Sequence, residues 1–275
     1  MKKSSIIYYL LSIIFFVACT PDHLTILHTN DTHSQVEPQA NNQGGYARRM
    51  GMIAEERKAD KNLLLVDAGD FCQGTPYFNY YHGRVELDAM NRMRYDAATL
   101  GNHEFDNGLD TLAAVLQTAN FPIVCANYDF TGTVMEGVVK PYTIVRKGAL
   151  KIGIFGLGCD PKGIISDKNF QPAVYLAPYP AAQAAADTLH AQGCDIVVCL
   201  SHMGTFGKAP EDVCDTALAS HTRGIDVIIG GHTHKLYDNL RVANLDGDSI
   251  PVCQMGKSGV YLGKIVLNLG GKSKK

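Results

Sequence analysis

Ala97-Ala98-Thr99-Leu100-Gly101-Asn102-His103-Glu104-Phe105-Asp106 begins as a short apolar run and breaks at a glycine into a mostly polar one. The apolar part reads as a buried strand. Polar side chains delivered at the carboxyl end of a strand fall in the crevice where open α/β sheets place their sites. Asn102 offers a neutral oxygen to a hard or borderline cation. His103 can carry a proton near neutral pH, and Asp106, three residues on, is close enough to orient that imidazole. The segment itself lacks the carboxylates and further imidazoles that would hold metals beside it.

Working outward, the same pattern of apolar strand and polar delivery recurs. Leu24 to His28 leads to Asn30-Asp31-Thr32-His33, and the Leu-Leu-Leu-Val run within 62–67 leads to Gly69-Asp70. Cys194 to Leu200 leads to Ser201-His202, and Asp226 to Ile229 leads to Gly230-Gly231-His232-Thr233-His234. Unbroken apolar runs of this kind are those of buried parallel strands. Helical periodicity predicts helices over 46–59, 85–94, 109–118 and 181–191. A short strand is expected at 121–126, and antiparallel strands at 138–139, 142–145 and 151–155 around a Lys147-Gly148 turn. Strands at 252–255 and 261–269 close the chain. Strands alternating with helices, then paired strands, imply an α/β sandwich of two sheets.

A lone strand-end Asp is most often a helix cap and a lone His most often a hydrogen-bonded core residue. Five such ends in succession, carrying Asp31 with His33, Asp70, Asn102 with His103, His202, and His232 with His234, point instead to one crevice fed by several strands. Imidazoles mixed with carboxylates suit Zn²⁺, Mn²⁺ or Fe²⁺ rather than Ca²⁺ or Mg²⁺ alone. The donors outnumber those of one tetrahedral ion, so two ions are expected. A closely spaced pair needs a bridging carboxylate and suits the clamping of phosphoryl oxygens. Two carboxylates against four positive charges leave a surplus that attracts a phosphate dianion.

Other features carry less. Glu104 reads either as the support of a ligand or as a solvent-exposed side chain or plain structural contact. Gly44-Gly45 and Gly74-Thr75 read as turns, with backbone approach to a phosphate as the alternative. Asn127 follows a strand end and is either a turn residue or a reach toward the site. Gly256-Lys257-Ser258-Gly259 lacks P-loop spacing. His23, His82, His190 and His221 fit no cluster, and His28, within a strand, reads as buried and hydrogen-bonded.

The 275 residues carry a formal charge of −2, so no gross bias suggests a nucleic-acid polymer as partner. Met1-Lys2-Lys3 and the apolar run from Ile6 to Ala18 read as a signal peptide over 1–18, too short to span a bilayer as a helix. Val17-Ala18-Cys19 resembles a bacterial lipobox, with Phe16 where such a motif usually carries Leu. Cys19 is therefore expected to become a lipidated N-terminus, and the protein to be an exported periplasmic or cell-surface lipoprotein. The remaining cysteines, Cys72, Cys125, Cys159, Cys194, Cys199, Cys214 and Cys253, contain no CxxC pair, which argues against a zinc–thiolate site.

Asp31-x-His33, Gly69-Asp70, Gly101-Asn102-His103-Glu104, His202 and Gly231-His232-x-His234 together resemble the calcineurin-like metallophosphoesterases. Leu27-His28-Thr29-Asn30-Asp31 and Gly101-Asn102-His103-Glu104-Phe105-Asp106 narrow the resemblance to the catalytic domain of the secreted 5′-nucleotidases. It implies a four-layer αββα sandwich of two mixed sheets over 19–275. It also implies one metal held by Asp31, His33, Asp70 and His234, and a second held by Asp70, Asn102, His202 and His232. His103 and Asp106 match the family's catalytic dyad. The implied activity is release of phosphate from nucleotides by metal-activated water. The same centre would serve a phosphodiesterase acting on 2′,3′-cyclic nucleotides or nucleotide sugars. An inactive metal- or partner-binding surface lipoprotein is the reading from another class. The second, nucleotide-binding domain usual in such proteins is not expected within 275 residues, and a separate polypeptide is one way to supply it.

Overall fold

The computed structural model describes residues 23–209 and 212–269. The expected signal peptide and the expected lipid anchor at Cys19 lie outside these residues. In chain order the elements are β1 (His23–Thr29), α1 (Tyr46–Ala59), β2 (Leu64–Asp67), α2 (Pro76–Tyr81), α3 (Arg84–Met93), β3 (Ala97–Ala98), a 3₁₀ turn (His103–Asn107) and α4 (Gly108–Leu116). Next come β4 (Tyr128–Asp129), β5 (Tyr142–Lys147), β6 (Leu150–Leu157), α5 (Asp167–Phe170), β7 (Val174–Tyr175) and α6 (Pro178–Ala191). The chain closes with β8 (Ile196–Ser201), α7 (Asp215–His221), β9 (Val227–Ile229), β10 (Leu236–Ala243), β11 (Ser249–Met255) and β12 (Gly263–Asn268).

Two mixed sheets result, ordered β12-β1-β2-β3 and β10-β11-β9-β8-β6-β5. In the first, β1, β2 and β3 are parallel and β12 runs antiparallel to β1. In the second, β6, β8, β9 and β11 are parallel, with β5 and β10 as antiparallel edges.

Three apolar cores reveal the layering. Leu24, Ile26, Leu64 and Val66 of the first sheet meet Ile152, Ile154, Val198, Leu200 and Ile229 of the second. The outer face of the first sheet packs Leu27, Leu65 and Ala98 under Ile53, Leu87, Met90 and Leu112 of the helices. The outer face of the second packs Phe155, Val197, Cys199 and Ile228 under Ala182, Ala186, Leu189 and Leu218. Three interfaces separate four layers, so the expected αββα sandwich is what forms. Strands with both faces buried need the continuous apolar runs seen in the sequence.

Three readings change. Residues 121–126 and 138–139 form only isolated bridges, Ile123 with Ala98, Val124 with Lys140 and Glu136 with Val139, and β3 beside the first of them is only two residues long. β10 is a strand although its polar sequence did not announce one. It is an edge whose side chains alternate between exposed and half-buried, and it needs only β11 for pairing. His28 is buried, but neither ring nitrogen has a hydrogen-bond partner. Its ring lies against Gly263 of β12, where a Cβ would stand 2.1 Å from Nε2. Burial accordingly lowers its pKa to about 4.

Candidate metal centre

All parallel strands of one sheet end on the same edge, and the two sheets face each other there. β1 ends into Asn30–His33, β2 into Gly69-Asp70, β3 into Asn102-His103, β8 into His202, and β9 into His232–His234. The residues predicted for the site, Asp31, His33, Asp70, Asn102, His103, Asp106, His202, His232 and His234, meet at this edge.

Ligand atoms of Asp31, His33, Asp70 and His234 all lie within 4.8 Å of one another. His234 Nε2 is 3.4 Å from Asp31 Oδ1, and His33 Nε2 is 3.9 Å from Asp31 Oδ1 and 3.8 Å from Asp70 Oδ2. The two imidazole nitrogens of His33 and His234 face each other at 3.0 Å. The second set adjoins the first through Asp70. His202 Nε2 is 3.1 Å from Asp70 Oδ2, the His202 and His232 rings are 5.4 Å apart, and His232 Nδ1 is 2.9 Å from Asn102 Oδ1. Asp70 therefore stands between an Asp/His/His group and an Asn/His/His group.

The donors fit divalent cations. His202 Nδ1 donates to the Ala68 carbonyl at 2.6 Å, which fixes the ring with Nε2 turned toward the carboxylates. That Nε2 is buried and makes no hydrogen bond despite its closeness to Asp70. Burial lowers the His33 and His232 pKa values to about 4, so both rings are neutral donors near pH 7. Asp70 is held well below the usual carboxylate range. Burial opposes this, but His202, His103 and His33 face it and prevail. His202 is pushed up to about 10, again against burial, by Asp70 and Asp31. Among the described residues, neither Asp31 nor Asp70 has a Lys or Arg ion-pair partner. Two buried carboxylates surrounded by imidazoles and without a fixed cation are the arrangement that metals complete.

The supporting groups were less legible. Glu104, ambiguous in sequence, is buried and clamps the Asp70 loop. Its Oε2 accepts N–H from Asp70 (2.9 Å) and Gly101 (2.6 Å), and its Oε1 accepts from Cys72 (3.0 Å). Asn30, not singled out from sequence, donates from Nδ2 to Asp31 Oδ2 (2.5 Å) and to the Gly256 carbonyl (3.1 Å), and accepts from Met255 N–H. Gln254, also missed, is fully buried. Its Oε1 accepts from Thr233 Oγ1 and Lys235 N–H, and its Nε2 donates to the Gly231 carbonyl, which fixes the His232–His234 turn. A lone Gln inside the apolar strand 252–255 was the available signal. Asn127 does not reach the site: it bonds Gly158 on both sides. Gly74 packs against His33, and Gly44-Gly45 lie against Ser258 and Pro38.

Five of the candidate ligand residues adopt the left-handed backbone: Asp31 (φ 48°), His33 (45°), Asp70 (55°), His232 (74°) and His234 (57°). That region is uncommon for residues with a Cβ and costs of order 1–3 kcal/mol each. Gly231 between the strand and His232 is required by close approach. A Cβ there would stand 2.7 Å from His202 Nδ1 and 3.1 Å from both the Ala68 carbonyl and Asp31 Oδ2.

At the open side stands His103, its side chain about one-third exposed, with Nδ1 2.9 Å from Asp106 Oδ2. Its ring is 5.3 Å from that of His33, and its backbone N–H donates to Asp70 Oδ1 at 2.9 Å. The Asp106 hydrogen bond raises the His103 pKa, helped by Asp70 and opposed by burial.

Comparison with known proteins places the chain in a family. The profile of the calcineurin-like phosphoesterase family matches residues 24–236. The chain is 36% identical over 281 residues to snake venom 5′-nucleotidase of Naja atra, covering 91% of this chain and 51% of that protein. Among solved structures, the 5′-nucleotidase precursor of Thermus thermophilus superposes with a TM-score of 0.81 at 36% identity, covering 89% of this chain and 51% of that one. The calcineurin-like phosphoesterase YfkN of Bacillus subtilis superposes at 0.74 and 28% identity, covering 92% of each. The chain spans about half the length of the curated relatives it matches first.

Proposed function

Because the chain belongs to the calcineurin-like phosphoesterase family, we propose that it releases phosphate from nucleotides by metal-dependent hydrolysis, in which Asp70 would help to hold each of two divalent ions. The observation that carries this reading is the placement of Asp70 between Asp31/His33/His234 and Asn102/His202/His232, beside the non-ligand pair His103–Asp106. Bound ions of this class polarise phosphoryl oxygens and make hydroxide available near neutral pH.

The chain's own groups do the rest. Asp106 accepts a hydrogen bond from His103 Nδ1 and fixes the ring, which leaves Nε2 as the atom that would carry the second proton. An imidazolium there stabilises negative charge as it gathers on the phosphoryl oxygens. The buried wall of Asp31, Asp70 and His202 excludes water from the opposite side. Nucleotides are favoured as substrates by the names of the full-length relatives.

We further propose export as a lipoprotein anchored at Cys19, which mass spectrometry of the mature N-terminus tests. No helix among the described residues is long and apolar enough to cross a membrane.

The deciding experiment for activity measures phosphate release from AMP, p-nitrophenyl phosphate and a 2′,3′-cyclic nucleotide, with added Mn²⁺ and with chelator. AMP turnover that chelator abolishes and Mn²⁺ restores is expected. Turnover untouched by chelator, or none on any substrate with metal loaded, overturns the proposal.

A further inference from the structure

Asp215, at the start of α7, is fully buried and has no place in the chemistry just described. Its Oδ1 accepts a 2.5 Å hydrogen bond from Ser201 Oγ, and its Oδ2 has no hydrogen-bond partner. Ser201 Oγ also accepts from Met203 N–H at 3.3 Å, so the hydroxyl reaches across His202 to the peptide that follows it. The Asp215 N–H donates to the Gly204 carbonyl at 2.8 Å. Asp215 thus holds segment 201–204 at both ends. On its other side it presses on the second ligand loop: a Cβ at Gly230 would stand 2.2 Å from Asp215 Oδ2. Gly230 has no left-handed φ, so its glycine is explained by space alone. Gly204, whose φ is +94°, also lies close to this loop, with a Cβ there 2.8 Å from Thr233 and 3.8 Å from the His232 ring.

We propose that Asp215 is a positioning residue that sets His202 and His232 relative to each other, and so fixes the affinity of the Asn102/His202/His232 half of the site. It touches neither substrate nor metal. It acts by filling the gap between two ligand-bearing strand ends and by holding the Ser201 hydroxyl in one orientation. Groups that orient ligands from behind typically change metal affinity about 10- to 100-fold when removed. The Asp31/His33/His234 half makes no hydrogen bond to this carboxyl and keeps its affinity. The inference rests on the two-ion reading above.

The test is Mn²⁺ titration of the metal-free full chain, followed by calorimetry and by electron paramagnetic resonance. Wild type is expected to take up two ions and show an exchange-coupled pair. Uptake of a single ion by wild type would remove the two-ion reading itself, which separates that failure from this one. Asp215→Ala is expected to keep the tighter ion, weaken the other about 10- to 100-fold, and show an isolated Mn²⁺ spectrum at one equivalent. Asp215→Asn retains the acceptor and the shape and should stay within about threefold of wild type. Gly230→Ala reaches the same contact from the other strand and should reproduce the loss. Combined with Asp215→Ala its effect should be less than additive, since the clash is gone. Second-ion affinity within about threefold of wild type in both Asp215→Ala and Gly230→Ala overturns the proposal, as does an Asp215→Asn loss equal to that of Asp215→Ala.

Discussion

Replacing His103 with Ala separates chemistry from architecture, because the two contributions of this residue use different atoms. The backbone N–H that donates to Asp70 Oδ1 survives in the variant. Only the ring, with its bond to Asp106, is lost. Both side chains are about one-third exposed, and an ion pair so placed contributes about 1 kcal/mol or less to stability. At about 2–4 °C per kcal/mol for a chain of this size, the melting temperature should fall by no more than about 4 °C. The kinetic loss is much larger. A single preorganised donor to developing oxyanion charge contributes about 10²–10³ in kcat, or about 2.7–4 kcal/mol. His103→Ala should therefore lose about that factor in kcat with AMP, while KM stays within a few-fold and the protein still holds its metals. Stopped-time phosphate release and elemental analysis of the dialysed protein read the two quantities. A kcat within about tenfold of wild type at equal metal content would remove the imidazole from the mechanism. Loss of metal with the ring would show that His103 is part of the metal cage.

Asp106→Asn should move the alkaline limb of kcat to lower pH. The carboxylate raises the His103 pKa, so without it the ring gives up its proton earlier, and a pH–rate profile reads the shift. Glu104→Ala leaves the buried amides of Asp70, Gly101 and Cys72 without their acceptor. At about 1–3 kcal/mol per unsatisfied group, partly offset by entering water, a loss of about 3 kcal/mol and a melting temperature lower by about 6–12 °C are expected in calorimetry. Asp67 is buried and its pKa is raised to about 7 against 3.8 for a free carboxyl. Its contribution to stability is full below about pH 4 and is lost as pH rises through about 7. The melting temperature of metal-free wild type measured against Asp67→Asn should fall relative to the variant across that window; parallel curves would refute the assignment.

Most of the fold and the convergence of the candidate ligands could be read because parallel strands buried on both faces require apolar runs, and polar residues ending such runs stand out. Asp31, Asp70, His202 and His232 are conspicuous against such neighbours. β10 escaped because an edge strand needs no apolar face. Glu104 was ambiguous because a carboxylate that caps backbone amides looks like any other acid in sequence. Asn30, Gln254 and Asp215 were missed because a buried polar side chain shows its role only through partners that folding brings to it. The hydrogen-bond reading of His28 failed because a glycine of a neighbouring strand can cover a ring without offering it an acceptor.

The left-handed backbone at Asp31, His33, Asp70, His232 and His234 bears on how such a chain would decay. At these positions glycine or asparagine is the comfortable occupant, and every drift toward them would relax the fold by about 1 kcal/mol or more. A lineage freed from the need to grip cations would therefore slide downhill toward a firmer, blank scaffold. Each such exchange would also remove a candidate ligand, so the gain in firmness and the loss of the cation cage would arrive together.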